Sequence, residues 1–253
     1  MAIINDEKDL EILREGGKIL ASILSQAANE IRPGAKGDDI DAFFEKTVLE
    51  NGGFPSFKNY GPGMNVSAFP ASLCLSINDE VVHGIPFGKV LKEGDLVGLD
   101  AGVMYKGFFT DMAITVPVGE ISEENKRLLD VCKSALQAGI KVTKSGVKTG
   151  AVGSAIQDIV EQNGFSVVRT LIGHGVGKAV HEPPEVPNFG LPDEGVELVE
   201  GMIIAIEPMI NVGGYKIVLN DDGWTWRTKD GSNSAHFEHT VRVTKNGAEI
   251  ITI

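Results

Sequence analysis

Cysteine is almost missing from this chain. Cys74 and Cys132 are the only two in 253 residues, too few for a disulfide scaffold and suited to a reducing compartment. Long apolar runs are missing as well: none approaches the roughly 18 residues that a membrane span needs. The first ten residues carry Asp6, Glu7, Lys8 and Asp9 and lack the apolar stretch of a signal peptide. A soluble, cytoplasmic protein that does not engage membranes is therefore expected. Basic residues are in deficit, with 23 Lys and Arg against 35 Asp and Glu and a net charge of -12. This argues against a nucleic-acid-binding surface, which is usually basic, and the acidic excess reads as solubility. No Pro- or Ser-rich linker and no low-complexity tract divides the chain, whose length suits one large core or two modest domains.

What is present is a weak internal repeat. Arg32-Pro-Gly-Ala-Lys36 leads into a helix that ends at Glu50-Asn51-Gly52, and Lys144-Ser-Gly-Val-Lys148 leads into one that ends at Gln162-Asn163-Gly164. Apolar residues recur at helical spacing in both: Ile40, Phe43, Phe44 and Val48, then Val152, Ala155, Ile156 and Ile159. Both stop at Asn-Gly, a left-handed type of helix end. Another amphipathic helix precedes each, over about residues 8–31 and 123–142, and strand-like segments follow each. The order helix, helix, strands, repeated once, predicts two related halves (about 6–120 and 121–253) of a single domain over 1–253. Sheet lies in the middle of that α+β arrangement and helices lie outside it.

Charged side chains also stand where core residues belong. Glu207 follows Met202, Ile203, Ile204, Ala205 and Ile206; Asp100 follows Leu96, Val97, Gly98 and Leu99; Asp111 opens Met112, Ala113, Ile114, Thr115 and Val116. Burying a carboxylate without a partner costs several kcal/mol, so such groups are usually paired or bound to metal. If Lys106-Gly107 forms a two-residue hairpin loop, position 102 pairs with 111. Asp100 and Asp111 then become diagonal neighbours on one face, within about 7–8 Å, where two like charges call for a cation between them. Glu238 shares a strand face with Thr240 and Arg242, and alternation alone assigns it to solvent. His174 lies in Gly173-His174-Gly175-Val176-Gly177, ahead of His181-Glu182-Pro183, and His83 ends Val81-Val82-His83-Gly84. A lone histidine in a glycine-rich turn is by itself more often structural. One imidazole with four carboxylates would suit Mn, Fe, Co or Zn, and four carboxylates balance about two divalent ions.

Taken in order, these segments resemble the short bacterial type I methionine aminopeptidases of the pita-bread (creatinase/aminopeptidase-like) metallopeptidase superfamily. The matching stretches are Ser76-Ile77-Asn78 with His83-Gly84-Ile85-Pro86, Leu99-Asp100, Thr110-Asp111, the His174 and His181 segments, Ile206-Glu207-Pro208-Met209 and Phe237-Glu238-His239-Thr240. The resemblance spans nearly the whole chain. It implies that Asp100, Asp111, His174, Glu207 and Glu238 hold two divalent metal ions, with Asp111 and Glu238 bridging, and that Glu207 is also the general base. It further implies that His83 acts near the scissile amide and that His181 steadies the substrate carbonyl. Phe69, Cys74 and Trp224 match the methionine pocket. The implied activity is removal of the N-terminal methionine from nascent polypeptides with a small second residue, by hydroxide generated at the metal pair.

Departures from the family pattern fall around that pocket. Phe69 stands in place of a tyrosine, Val66 and Val180 in place of aromatic residues, and Gly102 in place of a threonine. His236 and His239 are read as structural or supporting. A proline-directed aminopeptidase or prolidase of the same fold is the nearest alternative, although those usually carry a large extra N-terminal domain. A type II methionine aminopeptidase would need an insertion for which the stretch from His181 to Glu207 leaves no room. A non-enzymatic binding protein on this scaffold would be expected to have lost ligands. Docking on the ribosome follows from the biology of a nascent-chain enzyme, and nothing in the chain demands more than a monomer.

Overall fold

The computed structural model describes residues 1–61 and 67–253. Among the described residues four helices carry the outside: α1 (Glu7–Ala28), α2 (Gly37–Glu50), α3 (Glu123–Val142) and α4 (Thr149–Gln162). α1 starts where the Asp6 carboxylate accepts the Lys8 and Asp9 amides, and α3 where the Ser122 hydroxyl accepts the Asn125 amide. Each side chain satisfies amides that a helix N-terminus leaves unpaired.

The internal repeat extends to details of backbone pairing. Lys36 precedes α2 and bridges Val90; Lys148 precedes α4 and bridges Glu197. Both helices run for 14 residues. Asn51 and Asn163 then turn their side-chain amides back onto the carbonyls of Thr47 and Ile159, both at 2.8 Å, and Gly52 and Gly164 follow with φ of 75° and 80°. Only glycine takes that backbone without strain.

Each helix pair covers its own sheet. α1 and α2 bury Leu20, Leu24, Ile40, Phe44 and Val48 against Leu75, Val97, Leu99 and Val103. These belong to a four-stranded antiparallel sheet of Phe54–Pro55, Cys74–Ile77, Leu96–Tyr105 and Phe108–Pro117. α3 and α4 bury Leu128, Leu136, Val152 and Ile156 against Ile204, Ile206 and Val241. Those belong to a five-stranded sheet of Ala248–Ile250, His239–Val243, Ile203–Ile206, Gly173–Gly175 and Glu182–Val186. The halves meet where the long hairpin Leu96–Pro117 lies against the strands around residues 236–240. The Glu238 amide donates to the Ala113 carbonyl at 2.9 Å, and the Thr115 hydroxyl donates to the His236 carbonyl at 2.8 Å.

Candidate active site

The floor of the site forms along that seam. Lys106 and Gly107 make the two-residue turn, with φ of 47° and 86°, and Gly102 pairs with Asp111 while Asp100 pairs with Ala113. Asp100 and Asp111 therefore lie diagonally on one face, as the even loop length predicts. The Thr240 hydroxyl fixes the Asp111 backbone from the other half: it accepts the Asp111 amide and donates to the Asp111 carbonyl, both at 2.8 Å.

Glu238 is a correction to simple alternation. It is 2% exposed and not on a solvated face. The regular strand begins only at His239. Glu238 occupies the irregular step between Ser234–His236 and His239–Val243, which belong to different sheets, so the period of two does not reach it. Glu207 sits just past the buried strand Ile203–Ile206.

His174 owes its position to its glycines. A Cβ on Gly173 would run into the Ala205 carbonyl, and one on Gly175 into the Pro183 carbonyl. Only glycine therefore lets the three strands close around the histidine. Its Nδ1 lies 2.9 Å from the Gly175 carbonyl oxygen and must donate to it. That leaves the Nε2 lone pair facing Glu207 Oε1 at 3.4 Å and Asp111 Oδ2 at 4.0 Å. One ligand atom each from Asp111, His174 and Glu238 lies within 4.8 Å of the others.

The electrostatics of this group are those of a site short of positive charge. Burial pushes Asp100 up to about 7 and Glu207 up to about 8. Asp111 and Glu238 are pushed well above the carboxylate range by burial first and by the neighbouring carboxylates next. Among the described residues no Lys or Arg makes an ion pair with any of the four, and Glu238 Oε1 has no hydrogen-bond partner. An orphaned buried carboxylate oxygen, beside an imidazole whose free lone pair points the same way, fits bound divalent cations. The hard oxygen and nitrogen donors admit Mn, Fe, Co or Zn.

Above the floor lies a cavity of about 320 Å³, lined by Asp100, Asp111, His174, Glu207 and Glu238 together with Phe57, Tyr60, Phe69, Cys74 and Trp224; Cys74 pairs directly with Asp100 on the neighbouring strand. His83 and His181 face the same cavity. His83 takes a left-handed backbone, φ 58°. Burial lowers its pKa to about 4, with His181 adding to the effect. The surrounding walls also lower the His181 ring, although that residue opens onto the pocket. Phe69 and Trp224 meet edge to face at 5.2 Å. Val180 is buried in the same apolar cluster as Phe57, Phe69, Cys74 and Trp224, and Val66 lies outside the described residues. His236 reaches Glu207 Oε2 at 3.5 Å through its Nε2, whereas His239 turns away to Thr252 Oγ1 at 3.0 Å.

Sequence reasoning missed Phe57, Tyr60, Thr170, Leu171, Ile172 and Glu185, which also line the cavity. For Tyr60 a signal existed: an aromatic ring placed among the turn-formers Asn59, Gly61, Pro62 and Gly63 has little reason to be there unless it packs on something.

Phe57 also accounts for the threonine that is missing at position 102. A Cβ on Gly102 would collide with Ser56 Oγ and come to 2.9 Å from the Phe57 ring, and the Ser56 amide already donates to the Gly102 carbonyl at 3.0 Å. The chain fills with Ser56 and Phe57 the space that a side chain at 102 would take. Gly102→Ala is accordingly expected to destabilise by about 1–3 kcal/mol through overpacking, read as a lower urea midpoint. An unchanged midpoint would mean that the Ser56–Phe57 segment yields freely.

Comparison with known proteins bears on this geometry. Residues 11–245 match the model of metallopeptidase family M24. The chain is 44% identical to a methionine aminopeptidase of Clostridium perfringens, over 100% of this chain and 99% of that one. It is 41% identical to methionine aminopeptidase 1 of Bacillus subtilis, over 100% and 99%. A crystal structure of methionine aminopeptidase from Thermotoga maritima superposes with a TM-score of 0.94 at 42% identity, covering 100% of this chain and 99% of that one. A prolidase from Pyrococcus furiosus shares the fold at a TM-score of 0.76 and 22% identity, with 65% of its own length covered.

Proposed function

The chain belongs to metallopeptidase family M24, among the methionine aminopeptidases with the pita-bread fold, and from that we propose that it removes the N-terminal methionine of polypeptides whose second residue is small. The observation that carries the reading is the juxtaposition at the seam: buried, uncompensated carboxylates with one imidazole line the same cavity as the apolar, sulfur-containing cluster of Phe57, Phe69, Cys74 and Trp224. The substrates are nascent polypeptide N-termini in the cytoplasm, and docking near the ribosomal exit would deliver them. The low-identity likeness to prolidase bears on the fold alone.

Asp100, Asp111, His174, Glu207 and Glu238 are the residues that would hold two divalent ions. When bound, such ions polarise the scissile carbonyl and lower the pKa of water towards neutrality. The remaining work belongs to the chain. The substrate's α-amine would lie at the floor where those ions are held, which limits cleavage to one residue. Phe69, Cys74 and Trp224 take the methionine side chain, whose thioether packs well on aromatic rings. Glu207, flanked by the Nε2 atoms of His174 and His236 at 3.4 and 3.5 Å, accepts the proton given up by the attacking water. His83 and His181, neutral at working pH, donate from ring N–H groups to the scissile amide and to the carbonyl oxygen as charge develops on it.

The test is competitive hydrolysis of Met-Ala-Ser against an Xaa-Pro peptide, with Mn, Co, Fe or Zn added in turn. Release of methionine from Met-Ala-Ser, with the Xaa-Pro peptide left intact, is the expected result. Preference for the Xaa-Pro peptide would transfer the reading to the proline-directed relatives. No cleavage of either with any metal would favour a binding role.

A further inference from the structure

We infer that Tyr60 is a positioning residue that fixes the orientation and tautomer of His181; this deepens the proposed aminopeptidase reading and rests on it. The Tyr60 hydroxyl lies 2.8 Å from His181 Nδ1, and among the described residues it is the sole hydrogen-bond partner of that ring. A phenol is the better donor and an imidazole nitrogen the better acceptor, so the hydroxyl donates to Nδ1. The ring proton then resides on Nε2, and the imidazole offers an N–H on the edge away from Tyr60. Its plane is held between two neighbours: the Tyr60 ring with centroids 5.1 Å apart and the His174 ring at 4.3 Å.

Tyr60 is itself held by backbone. Its amide donates to the Phe57 carbonyl at 2.9 Å, the Asn59 amide to the Phe69 carbonyl at 2.9 Å, and the Phe69 amide to the Tyr60 carbonyl at 2.7 Å. Asn59 makes the turn possible with φ 64°, a conformation that asparagine tolerates better than most residues. The Trp224 indole N–H donates to the Ser67 carbonyl at 3.0 Å, tying the other side of the same stretch to the pocket wall. The tyrosine that orients His181 is therefore pinned to Phe69, a wall of the methionine pocket. A methionine side chain seated against Phe69 braces the segment that aims the imidazole.

The experiment is Tyr60→Phe, which keeps the ring and removes only the hydroxyl, assayed on Met-Ala-Ser with metal-loaded enzyme. A lost neutral hydrogen bond that matters mainly as charge develops should lower kcat by about fivefold to tenfold, with KM changed less than about twofold. A residue that only lined the pocket would raise KM instead. Nitrogen-15 spectra of the zinc-loaded protein give a second readout: His181 shows the Nε2–H tautomer in the wild type and a mixture in Tyr60→Phe. In a His181→Ala background, Tyr60→Phe is expected to have no further effect on kcat. An unchanged kcat, a loss confined to KM, an unaltered tautomer, or equal losses in both backgrounds would each overturn the inference. Failure of the underlying reading looks different: the wild type would then release no methionine from Met-Ala-Ser with any metal added.

Discussion

Glu207→Gln is expected to reduce kcat/KM for Met-Ala-Ser by about 10²–10⁴-fold, the range for loss of a positioned general base, while leaving the metal-free protein at least as stable as the parent. The two halves of this expectation have one cause. In the metal-free fold Glu207 is pushed up to about 8 by burial, which means that the fold pays to hold its charge. An amide of the same shape carries no charge to desolvate, and it can still face the rings of His174 and His236. The catalytic loss comes from the same replacement, because an amide cannot take a proton from water. A drop in thermal midpoint together with the loss of activity would mean that Glu207 supports the fold, and the assignment as base would then lose its support. Activity within a few-fold of the parent would sink it outright. His174→Ala removes a donor atom with no isostere, so it should abolish activity while far-UV circular dichroism stays unchanged.

How much of this was legible in the sequence depended on whether a local period governed the residue. Asp100 and Asp111 were legible because a hairpin with a two-residue turn has only one register, and register sets the face. The helix pairs were legible because their Asn-Gly ends and apolar spacings are local signals. Glu238 was not, because it stands where the chain passes from one sheet to another and the alternation stops; only the resemblance assigned it to the site. Tyr60 was legible as an aromatic ring out of place among turn-formers, but its partner was not. Its contact with His181 joins positions 121 residues apart and depends on a loop closed by backbone hydrogen bonds that no periodicity encodes. Gly102 was visible as an oddity, but its cause, the Ser56–Phe57 segment, lies across the strand in space.

The metal-free protein should lose stability as pH rises from about 6.5 to 8 and regain it when a divalent cation is added. Asp100 is raised to about 7 and Glu207 to about 8, and Asp111 and Glu238 shift in the same direction. In this window the folded state therefore holds protons that the unfolded chain, with ordinary carboxylates, has already released. Stability falls with pH whenever the folded state binds more protons, by about 1.4 kcal/mol per pH unit for each proton retained. The histidines act in the opposite sense. All five are lowered in the fold, so they favour the unfolded state only as pH drops below about 6.5, where free imidazole protonates. Above that value they are neutral in both states and the carboxylates act alone. A cation bound to deprotonated carboxylates expels the retained protons, so its stabilising effect should grow across the same window, reaching about 2.7 kcal/mol at a free metal concentration about 100 times Kd. Calorimetric melts of chelator-dialysed protein at pH 6.5 and 8, each repeated with manganese, measure both effects. A midpoint that is flat or rising with pH in the metal-free protein would mean that these carboxylates find their counter-charge inside the fold, and the case for a cation site at the seam would then fail.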